Sequence, residues 1–578
     1  MRRAVVLLLV VLAGLFPVAA RAQPAGHRFV AIAFHDVVDR REDLSTDAVT
    51  SEQLVRFFDW LKGSGWTVVS LDDVAAARGG RPLPDKAILL SFDDGYRSLY
   101  TRVFPLLKIY RFPAVAALVG TWMQDTSTVR RGDSDVAATV RYGDVDVPRS
   151  NFISWNEARE MQASGLVEFA SHSGDLHKGI QANPQANMIA AGRSWRYDPA
   201  TARYEDDRQH RARIRADLER SRRDMAAALG RAPRALVWPF GRFSGPALEE
   251  ARAAGFTFAF TLESEPDDAA LPMMLHRYFP SRNPPLGEIA DNLRFDVEYP
   301  ETVRVACLAL DGLAALDGSA QDAALGTMIE NLRTLGANKV IIDGNAALSS
   351  VDAPLGGVFF PTRLRPMQAD VLSRAVWQIR SRGGAEVYVR LPLEAAVAAV
   401  GDAGVPQLYA DMLRASAADG IVVEAPSQPG SAASGAKGAI RARRAGLDPA
   451  RLDPQSRRAL AIYRAAAAID PVLRLMLAVP APAGPADWAD YVVLPPAATA
   501  DATTDEAKAL HAQGWLRPDL AGRVIFSLPV APAAQVAAVR GAQRQGATGF
   551  ALCGGGPALP ATTALSATFS SATFPHRP

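Results

Sequence analysis

Two α/β units in tandem are what this sequence predicts, and three observations carry that reading. Short apolar runs recur along the chain and close on ionisable residues, as buried strands do where they open into loops. Helical stretches separate these runs, which calls for a mostly parallel sheet or barrel. Past Tyr299-Pro300 the pattern begins again with a second set of runs. With 578 residues, 49% hydrophobic and 21% charged, the chain is long enough to bury two cores.

At the N-terminus, Met1-Arg2-Arg3 precedes a largely apolar segment from Ala4 to Ala20, and Ala20-Arg21-Ala22 follows. A basic start, a short apolar core and a small-x-small site predict a secretory signal peptide over 1–22, cleaved after Ala22. Gly14 to Ala22 contains no cysteine, which excludes lipoprotein processing, and no later stretch is apolar over the length a bilayer requires. The expected product is a soluble periplasmic or secreted chain without a transmembrane segment; an uncleaved anchor helix is the alternative, for which the apolar core is short. A net charge of +2 gives no general signal for nucleic acid. Cys307 and Cys553, the two cysteines, sit in apolar contexts and are expected as buried thiols, with one long-range bridge as the alternative. Six of eight histidines lie in the first half, so imidazole chemistry is expected there.

The first strand, Phe29 to Phe34, ends on His35-Asp36, an ionisable pair at a sheet mouth. Ser51 to Ser64 reads as an amphipathic helix, Trp66 to Leu71 as a strand, and Asp72-Asp73 as the N-cap of the next helix. Ala87-Ile88-Leu89-Leu90 then runs into Ser91-Phe92-Asp93-Asp94-Gly95-Tyr96. Adjacent carboxylates repel unless a cation or a shared proton lies between them, which suggests a metal with one Asp as ligand and the other as base. A surface Asp-Asp-Gly turn is the alternative. Ala114 to Val119 is a further strand, and Ile153-Ser154-Trp155-Asn156 leads into a helix over Glu157 to Ser164.

Val167 to Ser171 opens into His172-Ser173-Gly174-Asp175-Leu176-His177. Two imidazoles five residues apart can converge on one ion if the loop turns back, and Ser173-Gly174-Asp175 supplies turn chemistry. With Asp94 they form a His-His-Asp set that leaves coordination positions open, the pattern of a catalytic rather than a structural ion. The donors suit one divalent metal ion: zinc, nickel, cobalt or iron(II). Ala182 to Asp207 reads as an ordered loop near the cleft. Gln209 to Leu229 reads as a helix whose Arg213–Asp217, Arg215–Glu219 and Arg220–Asp224 pairs fall at i, i+4 on a solvated face.

Ser91 to Gly95, His172 to His177 and Trp238-Pro239-Phe240-Gly241-Arg242 together resemble the successive motifs of NodB-homology polysaccharide deacetylases, carbohydrate esterase family 4. The likeness is to the branch acting on poly-β-1,6-N-acetylglucosamine (PNAG) in biofilm exopolysaccharide systems. It continues through Leu176 to Gln185, Arg196-Tyr197-Asp198 and Tyr204 to Asp207, covering nearly all of 23 to 295. It implies a circularly permuted, distorted (β/α) barrel over 23–297 and metal-dependent N-deacetylation of the exported polymer. By resemblance, Asp94, His172 and His177 bind the metal, which activates a water. Asp93 is the general base, and His35 the general acid toward the departing amine. Asp36 is a candidate partner for an imidazole, with a helix cap or a salt bridge as the alternative. Tyr96, near the turn whose backbone N–H faces the oxyanion, Phe240, Trp238 as a wall of the acetyl pocket, and Arg242 as the brace of Asp93 complete the set. The implied partners are partially acetylated β-1,6-glucosamine polymer and an outer-membrane exopolysaccharide export protein, with no nucleic acid.

In the second half, Val303 to Leu310, Lys339 to Asp343, Glu386 to Val389, Gly420 to Glu424, Tyr491 to Leu494 and Val524 to Leu528 alternate with helices, as in a (β/α)8 TIM-like barrel. Through Phe359 to Arg363, Pro366 to Asp370 and Trp377 to Arg382, residues 298–578 resemble the glycoside-hydrolase-like barrel of the same family. Relatives carry Asp-Leu-Asp-Tyr where this chain has Ala309-Leu310-Asp311-Gly312, and His-Asp-Asp where it has Glu424-Ala425-Pro426. Glycoside hydrolysis needs two suitably spaced carboxyls. Asp311, Asp343 and Glu424 remain without an intact motif, so a degenerate barrel without glycosidase activity is expected. Two readings of another kind stay open: a non-catalytic polysaccharide-binding export component, and a deacetylase of a different N-acetylated glycan.

Overall fold

Alternating apolar runs and helices build two parallel β structures in succession. The computed structural model describes residues 27–123, 139–143, 145–263, 267–269, 271–294, 302–350, 352–425, 437–479, 488–517, 520–529 and 531–553, with 565 and 569. The signal peptide expected over 1–22 lies outside them. In the first unit the strands are β1 (Arg28–Phe34), β2 (Thr67–Val68), β3 (Ala87–Phe92), β4 (Ala114–Leu118), β5 (Val167–Ser171), β6 (Ala235–Val237), β7 (Phe258–Phe260) and β8 (Asp267–Asp268). They form one curled, open sheet in the order β7-β6-β5-β4-β3-β1-β8, with β2 also pairing to β3. All pairs are parallel except β8 against β1. Strands β3 and β4 are buried along their whole length, which is why they read as unbroken apolar runs.

Register does the positioning. Phe34 lies opposite Phe92, so His35 and Asp93 emerge side by side from adjacent strand ends. Leu118 lies opposite Ser171, which brings His172 to the same edge of the sheet. The predicted strand Trp66 to Leu71 is shorter, because Ser70 caps the helix Leu71–Arg78 and Asp73 closes a capping box onto Ser70. The cap is therefore Ser70 rather than the Asp72-Asp73 pair.

The second unit is a closed parallel barrel of eight strands: β9 (Val303–Leu308), β10 (Lys339–Asp343), β11 (Glu386–Arg390), β12 (Gly420–Glu424), β13 (Arg474–Ala478), β14 (Tyr491–Leu494), β15 (Val524–Ser527) and β16 (Gly549–Leu552). Two of these, β13 and β16, were not among the expected strands. Arg474 opens β13, and Gly549 leaves no room for a side chain, since a Cβ there would lie 2.4 Å from the Val524 carbonyl. The barrel closes where β16 meets β9. Cys307 and Cys553 form a disulfide across that closure, so the expectation of two buried thiols is corrected to the single long-range bridge. Among the described residues no helix is long and apolar enough to cross a membrane.

The segment from Ala182 to Asp207, expected as a loop near the cleft, docks the barrel. Asn183 donates to Ser373, the Tyr204 hydroxyl to Asp370, and Arg193 pairs with Asp470 at 2.9 Å. Trp195 is packed into the barrel's own apolar core. The helix Asp207–Leu229 also departs from expectation. Arg213 turns to Glu205, Arg215 to Glu250, and Arg220 to Asp217, three residues back. Glu205 and Glu250 lie outside the helix and are already largely buried by the fold, so pairing with them costs little further desolvation, while Arg220 stays with a neighbour on its own helix.

Replacing both Cys307 and Cys553 by Ala is expected to cost the barrel about 2–4 kcal/mol, because the bridge closes a long loop in the unfolded chain. The check is a melting transition that falls in the double variant and falls equally in the wild type under reductant.

Candidate metal centre

Asp93 and Asp94 follow β3 directly and are both 2% exposed. They part company through backbone geometry. The Asp93 N–H donates to the Phe34 carbonyl, continuing the β1–β3 ladder. Asp94 and Gly95 then take positive φ values of 71° and 74°. Asp and Gly are the residue types that tolerate this region, and a Cβ at Gly95 would also press on Leu118 at 2.9 Å. The reversal sends the two carboxylates to different partners.

Asp94 meets the histidine loop. The Nε2 atoms of His172 and His177 lie 3.3 and 3.2 Å from Asp94 Oδ1, and all three residues are buried. His172 Nδ1–H donates to the Val237 carbonyl at 2.8 Å. A carbonyl only accepts, so in the neutral ring Nε2 presents a lone pair to a carboxylate oxygen. Among the described residues neither His172 Nε2 nor Asp94 Oδ1 has a hydrogen-bond partner. Lone pairs aimed at one buried point need a cation, and imidazole and carboxylate donors fit a divalent one. Burial pushes the Asp94 carboxyl upward, but His177 and His172 outweigh it and hold it well below the carboxylate range. Burial lowers His172, and the two Asp charges reverse that and raise it.

The loop between the imidazoles is held from below. Asp217 accepts the N–H of Gly174 and of Asp175, both at 2.8 Å, while Gly120 and Thr121 donate to the carbonyls of Ser173 and Gly174. Asp217 was expected as a helix-face partner of Arg213; it braces the metal loop instead. Tyr142, absent from the expectations, places its hydroxyl 3.0 Å from Asp94 Oδ2. Burial and the Asp94 charge raise its pKa, keeping it a proton donor. Rings of Trp122 and Phe240 stand 4.6 and 4.4 Å from that of His177.

Asp93 is held by Arg277, whose Nη1 donates to Asp93 Oδ1 at 2.7 Å and to Ser91. Both members of the pair are fully buried. Burial would raise the Asp93 carboxyl, but Arg277, then His172 and His35, keep it below its usual value of 3.8. The brace expected from Arg242 is corrected: that side chain reaches Asp419 of the barrel at 3.2 Å. Arg277 arrives because Tyr278 exchanges backbone hydrogen bonds with Ala31 and Ala33 of β1, which sets its neighbour beneath the end of β3. A lone basic residue inside Leu275-His276-Arg277-Tyr278-Phe279 was the available signal, since a buried guanidinium requires a carboxylate.

His35 lies with Nε2 3.9 Å from Asp93 Oδ2 and its ring against Phe279. Asp36 is corrected as an imidazole partner: its Oδ1 accepts from the Ser98 hydroxyl and from Val37 N–H, fixing the turn after His35. Trp238 is corrected as a cleft wall, being 0% exposed and stacked on Phe243 in the core. Tyr96 packs against Tyr142 and Phe152 beside the centre. Phe240, 43% exposed, faces a cavity of about 890 Å³ that His177 and Arg242 also line.

Residues 80–259 match the family described as polysaccharide deacetylase, and residues 308–408 match the hypothetical glycosyl hydrolase family 13. A poly-β-1,6-N-acetyl-D-glucosamine N-deacetylase of Escherichia coli strain K12 is 35% identical over 373 residues, 64% of this chain and 54% of that protein. The chain thus spans about half the length of that curated relative. Among solved structures, a de-N-acetylase from Aggregatibacter actinomycetemcomitans is 33% identical, covers 46% of this chain and 100% of its own, and has a TM-score of 0.42. The BpsB deacetylase domain from Bordetella bronchiseptica is 35% identical, covers 44% and 97%, and has a TM-score of 0.39.

Arg277→Met leaves Asp93 as a buried charge without its cation, and a loss of about 3–5 kcal/mol in denaturant unfolding is expected. The sign with pH follows. A depressed Asp93 contributes stability above 3.8 that is lost as pH falls through its lower folded value. In the variant this carboxyl titrates at higher pH, which NMR titration of the side chain would register.

Proposed function

Because the chain belongs to the polysaccharide deacetylase family, we propose that it hydrolyses acetamides of exported poly-β-1,6-N-acetylglucosamine, releasing acetate and exposing free amines. One observation carries this reading: a buried His-His-Asp donor set, a second carboxylate and an imidazole all emerge from adjoining strand ends. A binding module has no use for base, acid and ligand set together.

The roles follow from what each side chain can reach. Asp94, His172 and His177 would hold one divalent ion. When bound, that ion would supply Lewis acidity, polarising the acetyl carbonyl and making a water more acidic. Asp93 would be the base: Arg277 occupies Oδ1 and keeps the carboxylate ionised, leaving Oδ2 on the His35 side to accept a proton from water. His35 would deliver a proton to the departing nitrogen, since it borders the same carboxylate. Tyr142 would hold Asp94 in place through its hydroxyl. The signal-like N-terminus and the polymer named for the relatives support action outside the cytoplasm, on chains during export.

For the barrel we propose a non-hydrolytic role. Asp343 is tied to Arg390, and Asp311 accepts the Ala347 N–H, so two of the three acids at strand ends are engaged in holding the fold. Paired acid and base carboxyls are what glycosidic cleavage requires.

Amine release from acetylated β-1,6-glucosamine oligomers is expected to be abolished by chelator and restored by a divalent metal. Asp93→Asn should lower turnover by about 10²- to 10⁴-fold; unchanged turnover would remove Asp93 from the base role. Incubated with partially deacetylated polymer, the full chain should leave its length distribution unaltered, and shortening would reassign the barrel.

A further inference from the structure

The cavity at the metal centre is not built by the deacetylase unit alone. On one side it is lined by His177, Phe240 and the hairpin residue Met188, and on the other by Trp377 and Arg380 of the barrel. Met188 and Phe240 are 52% and 43% exposed, two of the few large apolar side chains left open to solvent, and both open into this space. Trp377 stands with them and is fixed in orientation, because its indole N–H donates to the Met188 carbonyl at 2.8 Å. Its polar end is thereby satisfied, and what it offers the cavity is a preset aromatic surface.

We propose that Trp377 is a specificity-determining residue, the platform of a sugar subsite that binds an N-acetylated pyranose of the polymer away from the acetamide being cleaved. The proposal rests on the deacetylase reading for the polymer's identity. An immobilised ring exchanges water for the apolar C–H face of a pyranose with little loss of side-chain freedom. Neighbouring charge selects the form of the sugar. The cavity is lined by Arg141, Arg149, Lys178, Arg193, Arg242 and Arg380; five of them pair with the four carboxylates Asp146, Asp175, Asp470 and Asp419, so positive charge stays in excess. Such walls disfavour the ammonium of a deacetylated unit and suit the neutral acetamide, whose carbonyl accepts hydrogen bonds. A size of about 890 Å³ falls at the upper end of ordinary small-molecule sites, which leaves room for more than the reacting group.

The test separates sugar binding from structure. In the full chain, Trp377→Ala is expected to lower kcat/KM on long acetylated β-1,6-glucosamine oligomers about tenfold, as loss of one stacking surface implies. Hydrolysis of a small acetate ester should be unchanged, and Trp377→Phe should keep most of the oligomer activity. Binding is measured in parallel with Asp93→Asn protein: the acetylated oligomer should bind about tenfold more weakly when Trp377→Ala is added, and a fully deacetylated oligomer should bind poorly to both. Equal losses on ester and oligomer would make Trp377 merely a support for the Met188 hairpin and overturn the proposal. So would undiminished oligomer binding, or tight binding of the deacetylated oligomer. A wild type that cleaves the ester yet releases no amine from the oligomer would defeat the deacetylase reading, while the binding arm would still judge Trp377.

Discussion

Two consecutive carboxylates buried at the end of one strand are an electrostatic problem that the first unit is arranged to solve. Asp93 and Asp94 are nearly inaccessible, and like charges so close in a medium of low polarity cannot both stay ionised without separate compensation. The positive φ at Asp94 divides them, sending one to Arg277 and the other to the imidazoles of His172 and His177. Each solution draws on a different part of the chain. Arg277 comes from the segment that pairs along β1, and the imidazoles come from the loop after β5, held at its base by Asp217 on a helix. The same pairing that neutralises Asp93 also leaves its second oxygen beside His35.

The barrel enters this arrangement from an unusual side. In (β/α)8 enzymes the chemistry sits where the strands end, in the loops that lead into the helices. Here the first unit meets residues at or just before the strand starts: Asp419 before β12, Asp470 before β13 and Arg474 within it pair with Arg242, Arg193 and Glu263. Burial raises the Asp419 carboxyl, and Arg242 opposes that, so the seam depends on opposite charges facing one another across it. The hairpin formed by Gly179–Gln181 and Met188–Ala190 begins two residues after His177 and carries Met188 to Trp377. Barrel and metal loop are therefore joined by one short piece of chain.

The placement of the candidate site residues was legible in the sequence wherever a strand ends on an ionisable side chain. His35, Asp93, Asp94, His172 and His177 all stand at or near such ends, and the structure brings all five together. Their supports were not legible, because each support comes from a segment with its own plausible local reading. Asp217 looked like a helix-face acid, Arg242 like a brace, Trp238 like a wall, and Tyr142 like nothing in particular. Asp36 beside His35 suggested a partner for an imidazole but serves Ser98.

By itself, then, the sequence determined the alternation of strands and helices, the two-unit organisation and the residue types at the sheet mouth. These follow from apolar periodicity and from motifs a few residues long, which short-range sterics and burial decide. Only the tertiary structure decided which cation meets which carboxylate, that Cys307 finds Cys553, and that the Ala182 to Asp207 segment clamps a second domain instead of lining the cleft alone. Those choices compare partners more than a hundred residues apart, and desolvation and geometry settle them only after the chain has folded.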